Sequence, residues 1–172
     1  MERTLVLIKP DAVQRGIVGE ILTRFERVGL KIVGMKMIEP TEGHYHEHYE
    51  KISKLISRRG QEVFDVNLDF MMVGPVIVLV LEGLGAVGLV RKMVGETEPA
   101  SAAPGTIRGD YSHMGYTHAN TAGTGIPNIV HASGDIEEAK AEVKLWFEPN
   151  ELFSYHLAHE HYTQPTKPFK KA

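Results

Sequence analysis

The 172-residue sequence contains no cysteine, which excludes disulfide bonds, thiolate metal sites and cysteine nucleophiles. It also lacks a long hydrophobic run: the longest apolar stretch, residues 76–81, is far shorter than the roughly 20 residues of a membrane-spanning helix. With 19 Lys and Arg against 22 Asp and Glu, the formal net charge is −3, so no overall positive field favours nucleic acid. Any anionic ligand must therefore be held by a local cluster of cations.

The length suits a single domain, which we place at residues 1–162. Residues 163–172 contain two prolines and three lysines, and we expect them to form an extended C-terminal tail. Because no membrane segment is evident, we expect a cytoplasmic protein without a membrane or nucleic-acid partner.

Hydrophobic periodicity alternates between strand and helix patterns along the chain. Strands are predicted at residues 4–8, 30–38, 76–81 and 128–130, and helices at residues 19–28, 41–56, 85–94 and 136–147. Thr41 is the expected N-cap of the second helix, and Ser133 or Asp135 that of the last. Residues 96–125 are rich in Gly, Pro, Ser, Thr and Ala, which predicts a long loop. This order predicts an α/β sandwich.

Two segments carry the strongest chemical signal. His131 lies between hydrogen-bonding residues, and Arg108 lies on an upstream loop bounded by glycines. A neutral imidazole can attack phosphorus without a separate base, and the planar guanidinium of arginine donates paired hydrogen bonds to phosphate oxygens. An isolated histidine more often has a structural role than a catalytic one. The combination of His131 with Arg108 nevertheless favours His131 as a phosphoryl acceptor.

Five motifs occur in the order found in nucleoside diphosphate kinases: I-K-P-D at 8–11, G-E-T at 95–97, P-G-T-I-R-G-D at 104–110, N-I-V-H-A-S at 128–133 and L-W-F at 145–147. The chain resembles this family from residue 4 to about residue 155. The resemblance implies an α+β fold: a ferredoxin-like βαββαβ sandwich with a four-stranded antiparallel sheet, added helices and a long loop at the active site or oligomer contact.

The resemblance also implies an activity and partners. A member of this family transfers the γ-phosphate of a nucleoside triphosphate to a nucleoside diphosphate by a ping-pong mechanism through a phosphohistidine. Mg²⁺ would be bound mainly through the nucleotide phosphates, and no protein residue is assigned to the metal. The protein would be a homo-oligomer, either a hexamer or a tetramer.

Site residues follow from the motif positions. His131 would carry the phosphoryl group, Glu142 and Ser133 would orient its imidazole, and Tyr49 matches the active-site tyrosine. The alternative for Glu142 is an ordinary solvent-facing position on a charged helix. Phosphate and sugar contacts are expected from Lys9, Arg91, Thr97, Arg108 and Asn128. For the clamp around the base we choose Phe64 and Leu68, with a core role for either as the alternative.

Other patterns suggest different functions. Gly83, Gly85 and Gly88 match a dinucleotide-binding fingerprint, which would indicate an oxidoreductase, although turn geometry and close helix packing explain the glycines as well. A non-catalytic nucleotide-binding scaffold is a further alternative. Two groups of histidines, at residues 44, 46 and 48 and at residues 156, 159 and 161, could suggest metal ligands, but we expect both groups to lie on the surface.

Overall fold

The computed structural model describes residues 1–164 and is built on a four-stranded β-sheet. The strands are β1 Glu2–Ile8, β2 Lys31–Ile38, β3 Val76–Gly83 and β4 Val130–Ala132. They lie side by side in the order β2-β3-β1-β4, and every neighbouring pair is antiparallel. This order confirms the predicted βαββαβ sandwich.

Helices cover both faces of the sheet and fill the connections between strands. In chain order the α-helices are α1 Pro10–Gln14, α2 Val18–Arg27, α3 Glu42–His46, α4 Leu55–Arg59, α5 Gln61–Met71, α6 Ala86–Val94, α7 Ile107–Tyr111, α8 Tyr116–Ala122, α9 Ile136–Trp146 and α10 Glu160–Thr163. A π-helical turn spans Glu47–Ile52, and 3₁₀ turns span Pro99–Ser101 and Pro149–Glu151. No helix within residues 1–164 is long and apolar enough to cross a bilayer.

Strand β1 is buried on both sides because a layer of helices packs against each face of the sheet. Val6 and Ile8 belong to a core that also contains side chains of α2 and α6. Leu5 and Leu7 point the other way, into a core formed with α3, α5 and α9. Alternate side chains of a strand point to opposite faces, so a continuous apolar run is what such a central strand requires.

The glycine-rich stretch 96–125 is not the long loop that its composition predicted. It contains a 3₁₀ turn and helices α7 and α8. Helix α7 begins at a side-chain N-cap, and the first amide of α8 is bound by a side chain from elsewhere in the segment. Thr106 Oγ1 accepts from the Gly109 amide at 3.1 Å, and Glu98 Oε1 accepts from the Tyr116 amide at 2.7 Å. Hydrogen bonds of this kind stabilise short helices even where the residues have low helix propensity. Amino-acid composition alone does not predict such bonds.

The predicted helix over residues 41–56 is interrupted. Thr41 does cap its start, since its Oγ1 accepts from the His44 amide at 3.2 Å. The helix then widens into the π turn and ends before Lys54, whose φ of 53° is left-handed. A left-handed residue cannot continue an α-helix, so α4 begins as a separate element.

Two boundaries near the C-terminus refine the predictions. Asp135, rather than Ser133, caps α9 by accepting from the amides of Glu137 and Glu138. Thr163 closes the short helix α10, so the predicted tail does not begin there. The rest of that predicted tail, residues 165–172, lies outside the described residues.

Candidate active site

The backbone around Ile129 positions the histidine segment against the start of α1. Ile129 has a φ of 73°, which is rare for a β-branched residue. Two hydrogen bonds hold it there: its amide donates to Asp11 Oδ2 at 3.0 Å, and its carbonyl accepts from the Lys9 amide at 2.9 Å. This turn is why β4 covers Val130–Ala132 and not the predicted 128–130, and it places His131 within the strand, opposite Leu7.

A buried carboxylate orients the imidazole of His131. Glu142 Oε1 lies 2.8 Å from His131 Nε2, and Ser133 Oγ donates to Glu142 Oε2 at 2.6 Å. Ser133 is fixed in turn by the Leu5 amide, which donates to its Oγ at 3.1 Å. Because an ionised carboxylate can only accept, Nε2 carries the proton and the lone pair lies on Nδ1. The alternative of a solvent-facing Glu142 is excluded, since the residue is fully buried.

Glu142 is held in its charged form. Burial by itself would raise the pKa of this carboxyl group, but the electrostatic interaction with the His131 ring and the hydrogen bonds from His131 and Ser133 lower the pKa from 4.5 to about 2. The carboxylate is therefore ionised throughout the neutral range, and the histidine keeps one tautomer.

Glu142→Gln should change how stability depends on pH. Because the folded-state pKa lies below the unfolded value, the stabilisation by Glu142 is complete above pH 4.5 and is lost as the pH falls to about 2. We expect the variant to lose on the order of 3 kcal/mol at neutral pH and to show a flatter profile in that acidic window. Urea unfolding at a series of pH values measures both quantities.

Glu137→Gln is the matched control, because Glu137 lies on the same helix with 81% of its side chain exposed. Its profile should follow the wild type. If Glu142→Gln kept the wild-type slope between pH 4.5 and 2, the low pKa of Glu142 would be contradicted.

His48 is a site residue that the sequence analysis missed. His48 is fully buried, so the surface location predicted for its group of histidines is wrong for this residue. Its ring centroid lies 4.5 Å from that of His131. Trp146 Nε1 donates to His48 Nδ1 at 3.2 Å. Burial, and then the electrostatic interaction with His131, lowers the pKa of His48 to about 3, so it stays neutral. Its spacing with Tyr45, Tyr49 and Ile52 on one helical stripe was the signal available in the sequence.

The second histidine group lies where it was predicted. His156, His159 and His161 are exposed. His156 Nδ1 pairs with Glu160 Oε2 at 2.9 Å on the surface. This group therefore offers no buried metal site.

Tyr49 lies beside the nucleophile candidate. Its ring centroid is 6.2 Å from that of His131, and only 6% of the residue is exposed. Burial raises the pKa of its hydroxyl, so the group stays protonated. The Asn67 side chain lies beside this hydroxyl, but no residue among 1–164 accepts the hydroxyl hydrogen. It is therefore available as a donor to a ligand.

Lys9 is a buried cation at the end of β1. It is 5% exposed, and burial is the main reason that its pKa falls from 10.5 to about 8. Arg108 lowers the pKa further, whereas Asp11 raises it. An anion bound next to Lys9 would favour its protonated, charged form and so raise its pKa again.

Arg108 connects three parts of the site. Its Nε, Nη1 and Nη2 donate to the carbonyls of Asn128 at 3.1 Å, Gly95 at 2.9 Å and Val130 at 2.6 Å. Burial, followed by the neighbouring charge of Arg91, lowers its pKa to about 10, which still leaves it charged at neutral pH. The guanidinium therefore holds the loop after α6 against the strand that carries His131.

Asn128 and Thr97 are tied together in the same region. Asn128 Nδ2 donates to the Thr97 carbonyl at 2.9 Å, while its buried Oδ1 has no hydrogen-bond partner in the described part of the chain. Thr97 and Arg91 are exposed. Direct contacts thus join Asn128, Thr97 and Arg108 beside the strand that carries His131. Lys9 and Arg91 lie close enough to Arg108 for their charges to interact with it.

The predicted base clamp does not fit the structure. Phe64 is 4% exposed and lies in the core beneath α5, so neither ring face is open to a base. Leu68 is half-buried against the same core. The helical phase of α5 turns both side chains toward the sheet.

The site has the parts of a group-transfer enzyme that carries its intermediate on histidine. A single imidazole nitrogen is available, a buried carboxylate fixes the ring, and buried cations lie nearby to stabilise an anionic group.

Comparisons with known proteins agree with this class. The family model described as Nucleoside diphosphate kinase matches residues 2–152. The nucleoside diphosphate kinase of Pyrococcus furiosus is 48% identical over 159 residues, covering 90% of this chain and 88% of that protein. That of Pyrococcus horikoshii is 50% identical over 158 residues, covering 90% of each.

Solved structures give the same result. The Borrelia burgdorferi nucleoside diphosphate kinase, a transition-state mimic with bound vanadate and ADP, has a TM-score of 0.92 at 38% identity, covering 95% of this chain and 97% of that one. The Halobacterium salinarum enzyme in complex with CDP has a TM-score of 0.80 at 37% identity, covering 94% and 97%.

The chain belongs to the nucleoside diphosphate kinase family. Its activity is the transfer of the γ-phosphate of a nucleoside triphosphate to a nucleoside diphosphate, and the predicted enzyme class is confirmed. The alternative of a non-catalytic scaffold is not supported.

The dinucleotide-binding alternative is also not supported. The sheet is antiparallel throughout, so β3 and α6 do not form the parallel βαβ unit of that fingerprint. Gly83 instead lies where a Cβ would come within 2.7 Å of Leu30, and Gly85 precedes α6 with a φ of 56°. Close packing and turn geometry explain these glycines, as the sequence analysis allowed.

Proposed function

We propose that His131 is the nucleophile and that Nδ1 is the nitrogen that accepts the phosphoryl group. The observation that carries this proposal is the 2.8 Å contact between Nε2 and the buried Glu142, which leaves the Nδ1 lone pair available. Nδ1 attacks the γ-phosphorus, the bond from that phosphorus to the bridging oxygen breaks, and the nucleoside diphosphate leaves with the electron pair. A second diphosphate attacks the phosphohistidine through a terminal oxygen and restores the imidazole.

The remaining predicted residues stabilise charge and hold the nucleotide. Lys9, Arg91 and the N–H groups of Arg108 that do not bind carbonyls donate to phosphate oxygens. The Tyr49 hydroxyl donates from the other side of His131, and Asn128 Oδ1 accepts from a ribose hydroxyl. Thr97 binds a phosphate through its exposed hydroxyl. Each of these side chains offers the cationic or hydrogen-bonding group that its proposed role requires, which supports the assignment.

The substrates are nucleoside di- and triphosphates with little discrimination between bases. Similar enzymes hold ADP and CDP, a purine and a pyrimidine nucleotide. Few base-specific contacts are needed, since every base offers a flat face for stacking.

Mg²⁺ enters as part of the nucleotide substrate and neutralises phosphate charge. The potential metal-ligand group in the described residues, His48, His131 and Glu142, offers two nitrogens and one carboxylate, whereas Mg²⁺ prefers oxygen ligands and retained water. These residues therefore do not form a resident magnesium site.

A hexamer or a tetramer is the proposed assembly, and a cytoplasmic location remains a prediction. Light scattering on the purified protein gives the mass of the assembly relative to the 19.1 kDa chain.

A two-stage incubation tests the proposed function. The protein is exposed to γ-labelled ATP, freed of nucleotide by rapid gel filtration, and then given unlabelled GDP. We expect label on the protein after the first stage and on GTP after the second, because the intermediate survives without bound nucleotide. Transfer to GDP solely when both nucleotides are present together would contradict a ping-pong mechanism.

Lys9→Arg tests the role of the buried cation. Because the pKa of Lys9 is about 8 in the free protein, we expect kcat/KM to fall roughly tenfold per pH unit above pH 8. Arginine stays charged, so the variant should have a lower rate but no such decline. Lys9→Ala should lose about 10²- to 10³-fold at neutral pH. Wild-type and Lys9→Arg profiles of the same shape would assign the alkaline decline to another group.

A further inference from the structure

The L-W-F motif places a buried tryptophan next to the carboxylate that orients His131. Trp146 is 3% exposed and lies one helical turn after Glu142 on α9. Its Nε1 donates to His48 Nδ1 at 3.2 Å, and the same nitrogen of His48 is 3.5 Å from Glu142 Oε1. The tryptophan and the carboxylate therefore both face one buried ring nitrogen.

The tryptophan N–H determines which nitrogen of His48 carries a proton. An indole N–H can only donate, so the Nδ1 that receives its hydrogen bond is an acceptor. Because the pKa of His48 is lowered to about 3, its ring is neutral and carries one proton. That proton is on Nε2. The 3.5 Å contact between His48 Nδ1 and Glu142 Oε1 therefore joins two acceptors and is not a hydrogen bond.

The opposite tautomer would satisfy more of the remaining contacts of His48. Its Nε2 is buried and has no hydrogen-bond partner among residues 1–164. A buried N–H without an acceptor costs free energy. With the proton on Nδ1, the ring would instead donate to the ionised carboxylate of Glu142, which is a stronger acceptor than a neutral group. The hydrogen bond from Trp146 opposes that exchange.

The exchange would draw the carboxylate away from the nucleophile. Glu142 Oε1 accepts from His131 Nε2 at 2.8 Å, and this contact fixes the proton and the direction of the imidazole. A proton on His48 Nδ1 would pull the same oxygen across the 3.5 Å gap toward a hydrogen-bond length of about 2.8 Å. The contact with His131 would lengthen in return, and its Nδ1 lone pair would lose its fixed direction.

We propose that Trp146 is a positioning residue that locks His48 in the Nε2-protonated tautomer and so reserves Glu142 for His131. The proposal rests on the proposed role of His131. Trp146 acts through His48 rather than by contact with the nucleotide. Its N–H keeps a competing proton donor away from the carboxylate that orients the nucleophile.

Trp146→Phe removes the N–H and keeps an aromatic ring in the core. Heteronuclear NMR on protein with ¹⁵N-labelled histidine shows which ring nitrogen of His48 is protonated, and we expect Nε2 in the wild type and Nδ1 in the variant. The single-turnover rate of His131 phosphorylation by ATP should fall about 10- to 100-fold, because the nucleophile is misaligned. The Kd for ATP should not change.

Removing the competing nitrogen should rescue the variant. Trp146→Phe combined with His48→Phe has no ring nitrogen to compete for Glu142, and the two exchanges together nearly conserve side-chain volume. We expect this double variant to be at least about tenfold faster than Trp146→Phe.

Tyr45→Phe is the matched control, because it also removes a buried hydrogen bond from an aromatic side chain of the same core. The Tyr45 hydroxyl donates to the Met71 carbonyl at 3.2 Å, and its ring centroid is 6.3 Å from that of Trp146. This control should lower thermal stability but leave the His48 tautomer and the phosphorylation rate unchanged.

The outcomes separate this inference from the proposed function. A wild-type protein that never acquires phosphate on His131 would defeat both. A phosphorylated wild type with the His48 proton on Nδ1 would defeat the tautomer lock alone. A Trp146→Phe variant with the wild-type tautomer or the wild-type rate would also overturn it. So would a slow variant that the double exchange does not rescue, because that result describes a packing residue.

Discussion

His131→Gln should abolish phosphoryl transfer while the protein remains folded. Removing the nucleophile leaves no group that can form the covalent intermediate, and we expect activity to fall by about 10⁴-fold or more. Glutamine retains an amide N–H that can donate toward the carboxylate of Glu142, so the buried charge is not left without a partner. Coupled spectrophotometric assay of GTP formation from ATP and GDP measures the loss.

His159→Gln is the control for this substitution, because His159 is exposed and remote from the motifs. It should retain full activity. Circular dichroism and light scattering should show the wild-type fold and assembly for both variants. Residual transfer above 1% of wild type in His131→Gln, on the order of 10²-fold more than expected, would mean that another residue carries the phosphate.

Arg108→Lys should reduce both activity and stability, although the charge is conserved. Arg108 donates to three backbone carbonyls at 2.6 to 3.1 Å, and a lysine cannot reproduce that planar arrangement. We expect the free energy of unfolding to fall by about 3 kcal/mol, roughly 1 kcal/mol for each weakened hydrogen bond. Activity should fall about 10²- to 10³-fold, because the strand that carries His131 also loses its support.

Urea unfolding and steady-state kinetics measure the two effects. Arg59→Lys makes the same replacement at an exposed position of α4 and should change neither quantity. If Arg108→Lys were as stable as the wild type, the three carbonyl contacts would not contribute to the fold as described.

The sequence predicted the parts of the molecule that local chemistry determines. A continuous apolar run identified the central strands, and Thr41 was recognised as a cap because its side chain can bond three residues ahead. The motifs gave the nucleophile candidate, and the family resemblance gave Glu142, whose link to His131 is a direct contact at 2.8 Å in the structure.

Other features depend on contacts between distant residues. Helix α8 begins where Glu98 accepts from Tyr116, eighteen residues along the chain, so its composition alone suggested a loop. The left-handed turn at Ile129 exists because Lys9 and Asp11 hold both of its backbone groups. No pattern within residues 128–133 encodes those two partners.

Polar residues on buried stripes were the hardest to interpret. His48 was grouped with its neighbouring histidines as a surface residue, although its spacing with Tyr45 and Tyr49 placed it on the inner face. Phe64 was chosen for the base clamp without knowing which face of α5 points toward the core. The helical phase of α5 could not be predicted because the start of this helix was not identified in the sequence. Register errors of this kind change which side of a helix meets the cleft.

The ring nitrogen that carries phosphate tests the central claim most directly. Protein with ¹⁵N-labelled histidine is phosphorylated by ATP in alkaline buffer, and heteronuclear NMR identifies the bonded nitrogen. We expect one phosphoryl group, on Nδ1 of His131, and its disappearance when a nucleoside diphosphate is added. Phosphate on Nε2, or on any other residue, would contradict the account, because Glu142 could not then hold the imidazole as the structure describes.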